Sequence, residues 1–566
     1  MTLSHRMILP AFVCFIILCM EIFSVHLYVS HEDGIYWWDN WGYFHQYQIY
    51  GEQIFHGKGA LHHILYTIRR DEYNPLPILP LMPIWAVTDH GRFSYIMAIA
   101  IIWLIPIACL CSLIVNKLSP TEATPCRKYN SFCVVAVTAF SFPPFWMATM
   151  RGLPDIAGCV PLGLIMLILM RTRYLSSASK TESCLFGFLL WLPFALRRWY
   201  SFSIIAIVTT AIIFAIYLLT ETGITRQKFW HATQNYIIAG ITLLTFLFGF
   251  QSKLVLQILH SSYSTAYTHY QAPFSVQIGT DFYPNIGPVY AILFLVGIAL
   301  SIKNKNINVF FCSIVPVLTF LLFSRIQSAS YHHLPPEFFW MFIVSAYGVL
   351  TLLKARSNVQ ALSIGYAAVL YGWLGCAFVF WPPARAALSP IAFLLPSQSL
   401  PPLRVANPEA YRDMIATLRM ALRDKEKFSV FAFGKTFNQG MMFTLAPDLI
   451  DSMVNVSVID QRDDMDTRAL EADVAIVLTP IDQLSDYVIS IPATAILDGK
   501  GIGRNYVRVS PAFHLAPECE AYIYRRTAPM SEADIDWLQS ELNRYYPTWR
   551  KVTMPPDSHI MIMPPR

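Results

Sequence analysis

Fourteen carboxylates stand among the first 381 residues: Glu21, Glu32, Asp33, Asp39, Glu52, Asp71, Glu72, Asp89, Glu122, Asp155, Glu182, Glu221, Asp281 and Glu337. Their surroundings are apolar, and an ionisable group in such surroundings is costly and therefore a candidate for function. Six of the fourteen lie between Ser30 and Asn74, in a stretch that opens HEDGIYWWDNWGYFHQYQIYGEQIFHGKG. Arginines occur at Arg151, as the pair Arg197-Arg198, and at Arg325. His332 and His333 follow Tyr331, and His31, Glu32 and Asp33 are consecutive. Imidazole and carboxylate ligands make a divalent metal possible at either group. On a helix, adjacent histidines point different ways, so at most one of His332 and His333 is expected to face a cavity.

The elements that must hold these residues follow from composition. Hydrophobic residues are 55% of the chain, charged residues 14%, and mean hydropathy is +0.44, against roughly 25% charge in soluble domains. Of the 77 charged residues, 41 fall between Pro382 and Arg566, so the region before them is too apolar to be a soluble core and must be solvated by lipid. Eleven apolar runs are candidates to cross a bilayer, near 7–29, 93–115, 131–147, 155–170, 184–196, 201–219, 235–258, 286–302, 309–323, 338–353 and 361–381. The run Leu76–Val87 is short and holds Pro77, Pro80 and Pro83, which suits a re-entrant or interfacial piece. Met7–Val29 reads as a first membrane helix rather than a cleaved signal peptide.

Basic residues mark the cytoplasmic side. Arg6, then connections with Lys117, Arg127 and Lys128, with Arg171, Arg173 and Lys180, with Arg226 and Lys228, with Lys303 and Lys305, and with Lys354 and Arg356, place the N-terminus in the cytoplasm. Eleven crossings then put the C-terminal domain outside. Glu122, Glu182 and Glu221 fall in cytoplasmic connections, Glu21 lies within the first helix, and the other ten acids fall on the outer face. Chemistry, if present, is expected there. Trp37, Trp38, Trp41, Tyr43 and Phe44 fit an interfacial aromatic belt, and His45, Gln48 and Glu52 recur at helical spacing, predicting an amphipathic helix from Asn40 to Phe55. Most cysteines sit in apolar runs and imply no disulfide framework. The net charge of +5 belongs to the cytoplasmic connections and does not suggest a nucleic-acid partner.

Asp39-Asn40-Trp41-Gly42-Tyr43, following the first membrane helix, resembles the Asp-Glu-x-x-Tyr motif in the first outer loop of the GT-C glycosyltransferases, such as protein O-mannosyltransferases and lipid A aminoarabinose transferases. Glu72-Tyr73-Asn74-Pro75-Leu76 is similar to that family's Glu-Lys-Pro-Pro-Leu segment. Two positions depart from the pattern: Asn40 replaces the motif's Glu, and Tyr73 replaces its phosphate-contacting Lys. Arg151-Gly-Leu-Pro-Asp155 resembles the family's second Asp at the outer start of a membrane helix, although capping of that helix is an equal alternative for Asp155. Tyr331-His332-His333-Leu334-Pro335-Pro336 resembles its late, aromatic-rich outer loop. The layout covers most of residues 1–381; the motifs proper cover only Asp39–Tyr43 and Glu72–Leu76.

The resemblance implies a GT-C-like catalytic domain over 1–381, with its first outer loop at 30–75, in the plasma (inner) membrane of a cell envelope. It implies transfer of a sugar, with inversion, from a polyprenyl-phosphate donor to a lipid, glycan or protein acceptor. A carboxylate takes the acceptor's proton, so Asp39 is the candidate base and Asp33 its alternative. Arg197, Arg198 and Arg325, with Arg151 behind them, are candidates for the lipid phosphate, against a plain role snorkelling to head groups. Tyr43, Glu72, Tyr331, His332 and His333 complete the expected substrate contacts. Aromatic residues Tyr263, Tyr267, Tyr270, Phe282 and Tyr283 suit either a sugar or an interface belt. An oligosaccharide polymerase or ligase, or a glycolipid transporter, are the competing readings.

A proline-rich linker spans 382–406. Beyond it, a helix capped by Asn407 and Pro408 runs to about Asp424. Strands are expected at Phe428–Phe433, Ala472–Leu478 and Ala521–Arg525, with a helix near Ser531–Tyr545, which together predict a small α/β domain over 407–566. Gly499–Gly503 lacks the strand-to-helix setting of a nucleotide loop.

Overall fold

The computed structural model describes residues 5–57, 60–119, 125–260, 270–353, 358–454, 456, 467–481 and 490–545. It is a polytopic helical membrane protein with a C-terminal α/β domain. The chain forms two compact units, one of Met1–Ser30 with Tyr43–Pro402, the other of His31–Gly42 with Leu403–Arg566.

In the first unit each of the eleven expected runs is helical. Among the described residues eight helices are long and apolar enough to cross a membrane, and Lys128–Phe140 with Pro143–Met150 gives a ninth, bent by 42°. The bend falls where Pro143 and Pro144 withhold their backbone donors. Lys180–Leu196 and Ile307–Phe323 have 17 residues each. The first is opened by a capping box between Ser179 and Glu182, and the second by Asn306, whose side chain accepts from the Val309 amide at 3.3 Å. Glycines let helices close on one another. A Cβ added at Gly187 would lie 2.2 Å from the Ala239 carbonyl oxygen, and one at Gly297 the same distance from that of Val344. The helix Arg226–His260 breaks at Gln251, whose buried side chain accepts from Trp191 Nε1 at 3.0 Å.

Residues 76–87 form only the short turns Leu79–Leu81 and Met82–Trp85, as their prolines demand. The helix expected over Asn40–Phe55 is present as Trp38–Phe55. Its aromatic residues behave differently from the expected belt: Tyr43, Phe44, Tyr47 and Tyr50 are buried. The Trp85 ring lies so close to Gly51 that any Cβ there would overlap it, at 2.2 Å. Packing against protein has taken the place of the lipid interface on this face.

The second unit is built on a mixed sheet in the order β2-β1-β3-β6-β4, with β5 beside β6. Its strands are β1 Phe428–Phe431, β2 Met453–Val454, β3 Val474–Thr479, β4 Tyr506–Arg508, β5 Phe513–Ala516 and β6 Cys519–Arg526. β1 pairs parallel with β2 and β3, while β6 runs antiparallel to β3, β4 and β5. Every residue of β1 and all but the last of β3 are buried, the pattern of strands covered on both faces. On one face Pro408–Ala421 and Gln439–Leu445 supply the core, joined by Ile35 and Trp37 from the early segment. On the other the core comes from Ser490–Asp498, Gly501–Asn505 and Glu532–Tyr545. Asn407 caps its helix as expected, accepting from the Ala410 amide at 3.4 Å. Strands β2, β4 and β5 were too short or too interrupted to stand out by periodicity.

Candidate active site

In the first unit several of the residues expected to do chemistry gather around one fully buried ion pair. Pro143–Met150 ends at Gly152, whose φ of +74° reverses the chain, and a 3-10 turn, Pro154–Gly158, follows. Asp155 sits in that turn just after Pro154, and the cap position itself is Leu153. Arg197 occupies the extended end of Lys180–Leu196. Its Nε lies 2.7 Å from Asp155 Oδ1, and both side chains are 0% exposed. Asp155 is thus ion-paired inside the protein, and Arg197 is too deeply buried to snorkel to head groups.

Aromatic rings enclose the cation. The Arg197 guanidinium carbon is 3.7 Å from the Trp199 ring centre, 4.8 Å from Tyr43 and 4.9 Å from Tyr73. Tyr43 and Tyr73 lie side by side, 5.9 Å apart. Tyr73 thus places a ring beside the Arg197 guanidinium. Loop 71–76 is held there by Gln46 Nε2, which donates to the Tyr73 carbonyl at 2.6 Å, and by Asn74 Nδ2, which donates to the Ala195 carbonyl at 2.9 Å. Glu72 forms an ion pair with Arg198.

Behind Asp155 the packing is polar and buried. The Tyr200 hydroxyl donates to the Asp155 carbonyl at 2.7 Å, and Cys159 Sγ lies 3.5 Å from that hydroxyl. Arg151 is buried, and its carbonyl accepts from Arg92 Nη2 at 2.8 Å, while the Tyr95 hydroxyl donates to the Gly152 carbonyl at 2.8 Å. Glu337 is buried in the first turn of Pro335–Leu353.

His332 and His333 lie in a turn rather than a helix, so the expectation that only one would face the site does not hold. Their rings are 3.9 Å apart, and both meet Trp199, at 5.7 and 4.7 Å. Ser330 Oγ is hydrogen-bonded with both, at 2.7 Å from His332 Nδ1 and 3.2 Å from His333 Nδ1. Burial first, and the Arg197 charge second, push His332 down to about 3. Burial likewise takes His333 well below the usual imidazole range, helped by His332, Arg197 and Arg198. Tyr331 packs against His332, 5.5 Å away.

A line of rings leads onward from this centre. His333 is 5.0 Å from Phe323, which is 5.4 Å from Phe202. Next in the chain come Ser324 and Arg325, on the wall of a cavity of about 520 Å³. Ile205, Ala206, Thr209, Phe274, Leu318, Leu321 and Leu322 also line it, so among the described residues Arg325 is its one charged group. Arg325 therefore stands apart from the Asp155–Arg197 pair, at an apolar chamber.

Asp33 and Asp39 belong to the second unit. Asp33 is engaged in the fold: its Oδ2 accepts from the Val405 amide at 2.8 Å, and its own amide donates to the Leu403 carbonyl. Asp39 stands in the first turn of Trp38–Phe55, one turn before Tyr43. His31, Glu32 and Asp33 do not assemble into a metal site. The Glu32 carboxylate accepts from the Tyr36 hydroxyl at 3.0 Å, and among the described residues no group of three or more His, Cys, Asp or Glu is arranged to hold a metal ion.

Tyr263 and Tyr267 lie outside the described residues. Arg92, Tyr95 and Cys159 were not singled out from sequence. Arg92 precedes an apolar run and looks like any charge at the end of a span, and no local pattern distinguishes the other two.

No family model matches the chain, and no curated protein does. Among solved structures it is similar to a crystal structure of ArnT from Cupriavidus metallidurans bound to undecaprenyl phosphate. The match has 11% identity and a TM-score of 0.46, over 91% of this chain and 97% of that one.

Proposed function

We propose that this protein is a GT-C-type glycosyltransferase that moves a sugar from a polyprenyl-phosphate donor to an acceptor on the outer face of the plasma (inner) membrane. The observation that carries the reading is the buried Arg197, held by Asp155, roofed by three aromatic rings and joined through Trp199, His333 and Phe323 to the wall of an apolar cavity. Burying an ion pair is often no more stabilising than burying apolar groups, so its retention favours a functional role. A lipid phosphate needs cations where its charge develops and an apolar chamber for its chain, and the first unit offers both.

In the proposed reaction Asp39 accepts the acceptor hydroxyl's proton as that oxygen bonds to the anomeric carbon. The bond from the anomeric carbon to the phosphate oxygen breaks, its electron pair stays with the lipid phosphate, and the anomeric centre inverts. Arg197 stabilises the charge on the departing phosphate, and Arg198, His332 and His333 line the same approach. The histidines act as neutral hydrogen-bonding groups, given their depressed basicity. Asp39 is preferred over Asp33 because it shares a helix face with Tyr43, four residues on, whereas Asp33 is bonded to backbone. Arg325 meets the donor lipid at the cavity wall.

The test is transfer by purified protein in lipid, with a panel of polyprenyl-phosphate monosaccharides. Asp39→Asn is expected to lower turnover about 100- to 10,000-fold, and Arg197→Gln about 100- to 1,000-fold, compared at equal amounts of folded protein. Absence of turnover by the wild-type protein with every donor, or full activity in Asp39→Asn, would overturn the class or the base respectively.

A further inference from the structure

We infer that the second unit carries a carbohydrate-binding site at the carboxyl end of β1, and that the sugar it takes is the acceptor; only this last clause rests on the transfer reaction proposed above. The sheet order places β1 between β2 and β3, parallel to both, so the chain leaves β1 for one side and returns to the other. In open α/β sheets, ligands sit outside the carboxyl ends of the strands at such a reversal.

At that end of β1 the chain turns at Gly434, whose amide donates to the Phe437 carbonyl at 3.0 Å, and Phe433 bridges to Asn438. The early segment crosses this turn. A Cβ built on Gly440 would lie 2.9 Å from Asn438 Oδ1, 3.2 Å from the Trp38 amide nitrogen and 3.6 Å from the Trp37 Cα, so the tryptophans run directly over it. Trp38 meets Phe433 at 6.0 Å, and Trp41 stacks on Phe443 at 5.8 Å, all four rings being half-buried.

Ring packing alone would describe an ordinary core edge. Two polar atoms argue for more. Asn438 is 1% exposed, and its Nδ2 donates to the Gly434 carbonyl at 2.9 Å. Its Oδ1 is buried and has no hydrogen-bond partner, nor does it cap the helix that follows. The Trp38 Nε1–H is likewise buried without an acceptor. Buried groups left unpaired are costly. One lacks a donor and the other an acceptor, and a hydroxyl group is both. Aromatic rings beside an unpartnered acceptor and an unpartnered donor suit the apolar face and hydroxyl rim of a sugar. Asp39, the next residue after Trp38, would then stand beside the bound acceptor.

The test uses full-length protein in lipid nanodiscs, without donor, titrated with short linear gluco-, galacto- and manno-oligosaccharides. Tryptophan fluorescence and saturation-transfer NMR read the binding. Saturable binding of at least one is expected. Asn438→Ala and Trp38→Phe should each weaken it about five- to tenfold, Trp38→Phe serving as the variant that keeps the packing. Lys228→Gln, at an exposed residue of the other unit, should leave it unchanged. No saturable binding by wild type, or equal binding by wild type and Trp38→Phe, overturns the inference while leaving the transferase reading to its own assay. Oligosaccharide binding without transfer to that sugar would keep the site and remove the acceptor assignment.

Discussion

At the scale of single residues, Asp155 and Arg197 are each the other's compensation, since neither meets solvent. Removing one charge takes away the other's ion-pair partner in a fully buried setting, a change that costs about 3–5 kcal/mol. Asp155→Asn should therefore lower thermal stability in lipid as well as activity, and Asp155→Asn with Arg197→Gln should be more stable than either single variant. Denaturation of the three proteins side by side checks this. His332 gives a second prediction. Its folded pKa, about 3, lies below the ordinary value near 6.5, so the unfolded chain binds more protons between those limits. Its contribution to stability is present above about pH 6.5 and declines as pH falls below it. His332→Gln should flatten the stability–pH curve over that window, without introducing a new inflection in activity between about pH 7 and 8.

Much of this centre was legible in the residues. Asp155, Arg197, Arg198, Glu72, His332 and His333 were each picked out by charge in an apolar setting, and the fold brings them together. The enclosure was not legible. That Tyr43 and Tyr73 face Arg197 is a contact between residues more than a hundred apart in sequence, and their aromatic character read equally well as an interface belt. Arg92 was hidden by lying where any membrane helix carries a basic residue.

At the scale of elements, the turn between Pro143–Met150 and Pro154–Gly158 sets where Asp155 stands. Gly152 has positive φ, and a Cβ there would lie 2.3 Å from Arg92 Nη1. Gly152→Ala must strain the backbone and displace the guanidinium that holds the Arg151 carbonyl, for a cost of about 1–3 kcal/mol. A fall in activity larger than that of Gly34→Ala, at a positive-φ glycine with open space around it, would show that the turn positions the site rather than merely supporting the fold. The helices themselves were readable because their apolar runs are long. Their breaks at Ser141-Phe142 and Gln251 were less so, since only the first is signalled by proline.

At the scale of the whole molecule, the second unit depends partly on charge. Arg525 binds Glu426 through two nitrogens, at 2.8 and 3.0 Å, and that pairing holds the Glu426 carboxyl below the usual carboxylate range. Its stabilisation is present above the unfolded pKa, about 4.3, and is lost as pH falls through the folded value. Glu426→Gln should cost about 1 kcal/mol near neutral pH and nothing once the wild-type carboxyl is protonated, as acid titration of the domain's circular dichroism would show. The α/β character of this unit was legible from its strands and from the Asn407-Pro408 start. The membership of His31–Gly42 was not, because nothing local says that Ile35 and Trp37 complete a core whose other parts begin at Val405.

That shared membership has a consequence in time. Gly42 leaves the ribosome roughly 360 residues ahead of Leu403, and at about 5–20 residues per second the delay is on the order of 20–70 s. For that interval Ile35 and Trp37 are synthesised without the domain that buries them. A nascent chain stalled before Leu403 carries an orphaned apolar stretch available to chaperones and proteases, so quality control can detect a missing C-terminus from a peptide near the opposite end of the chain.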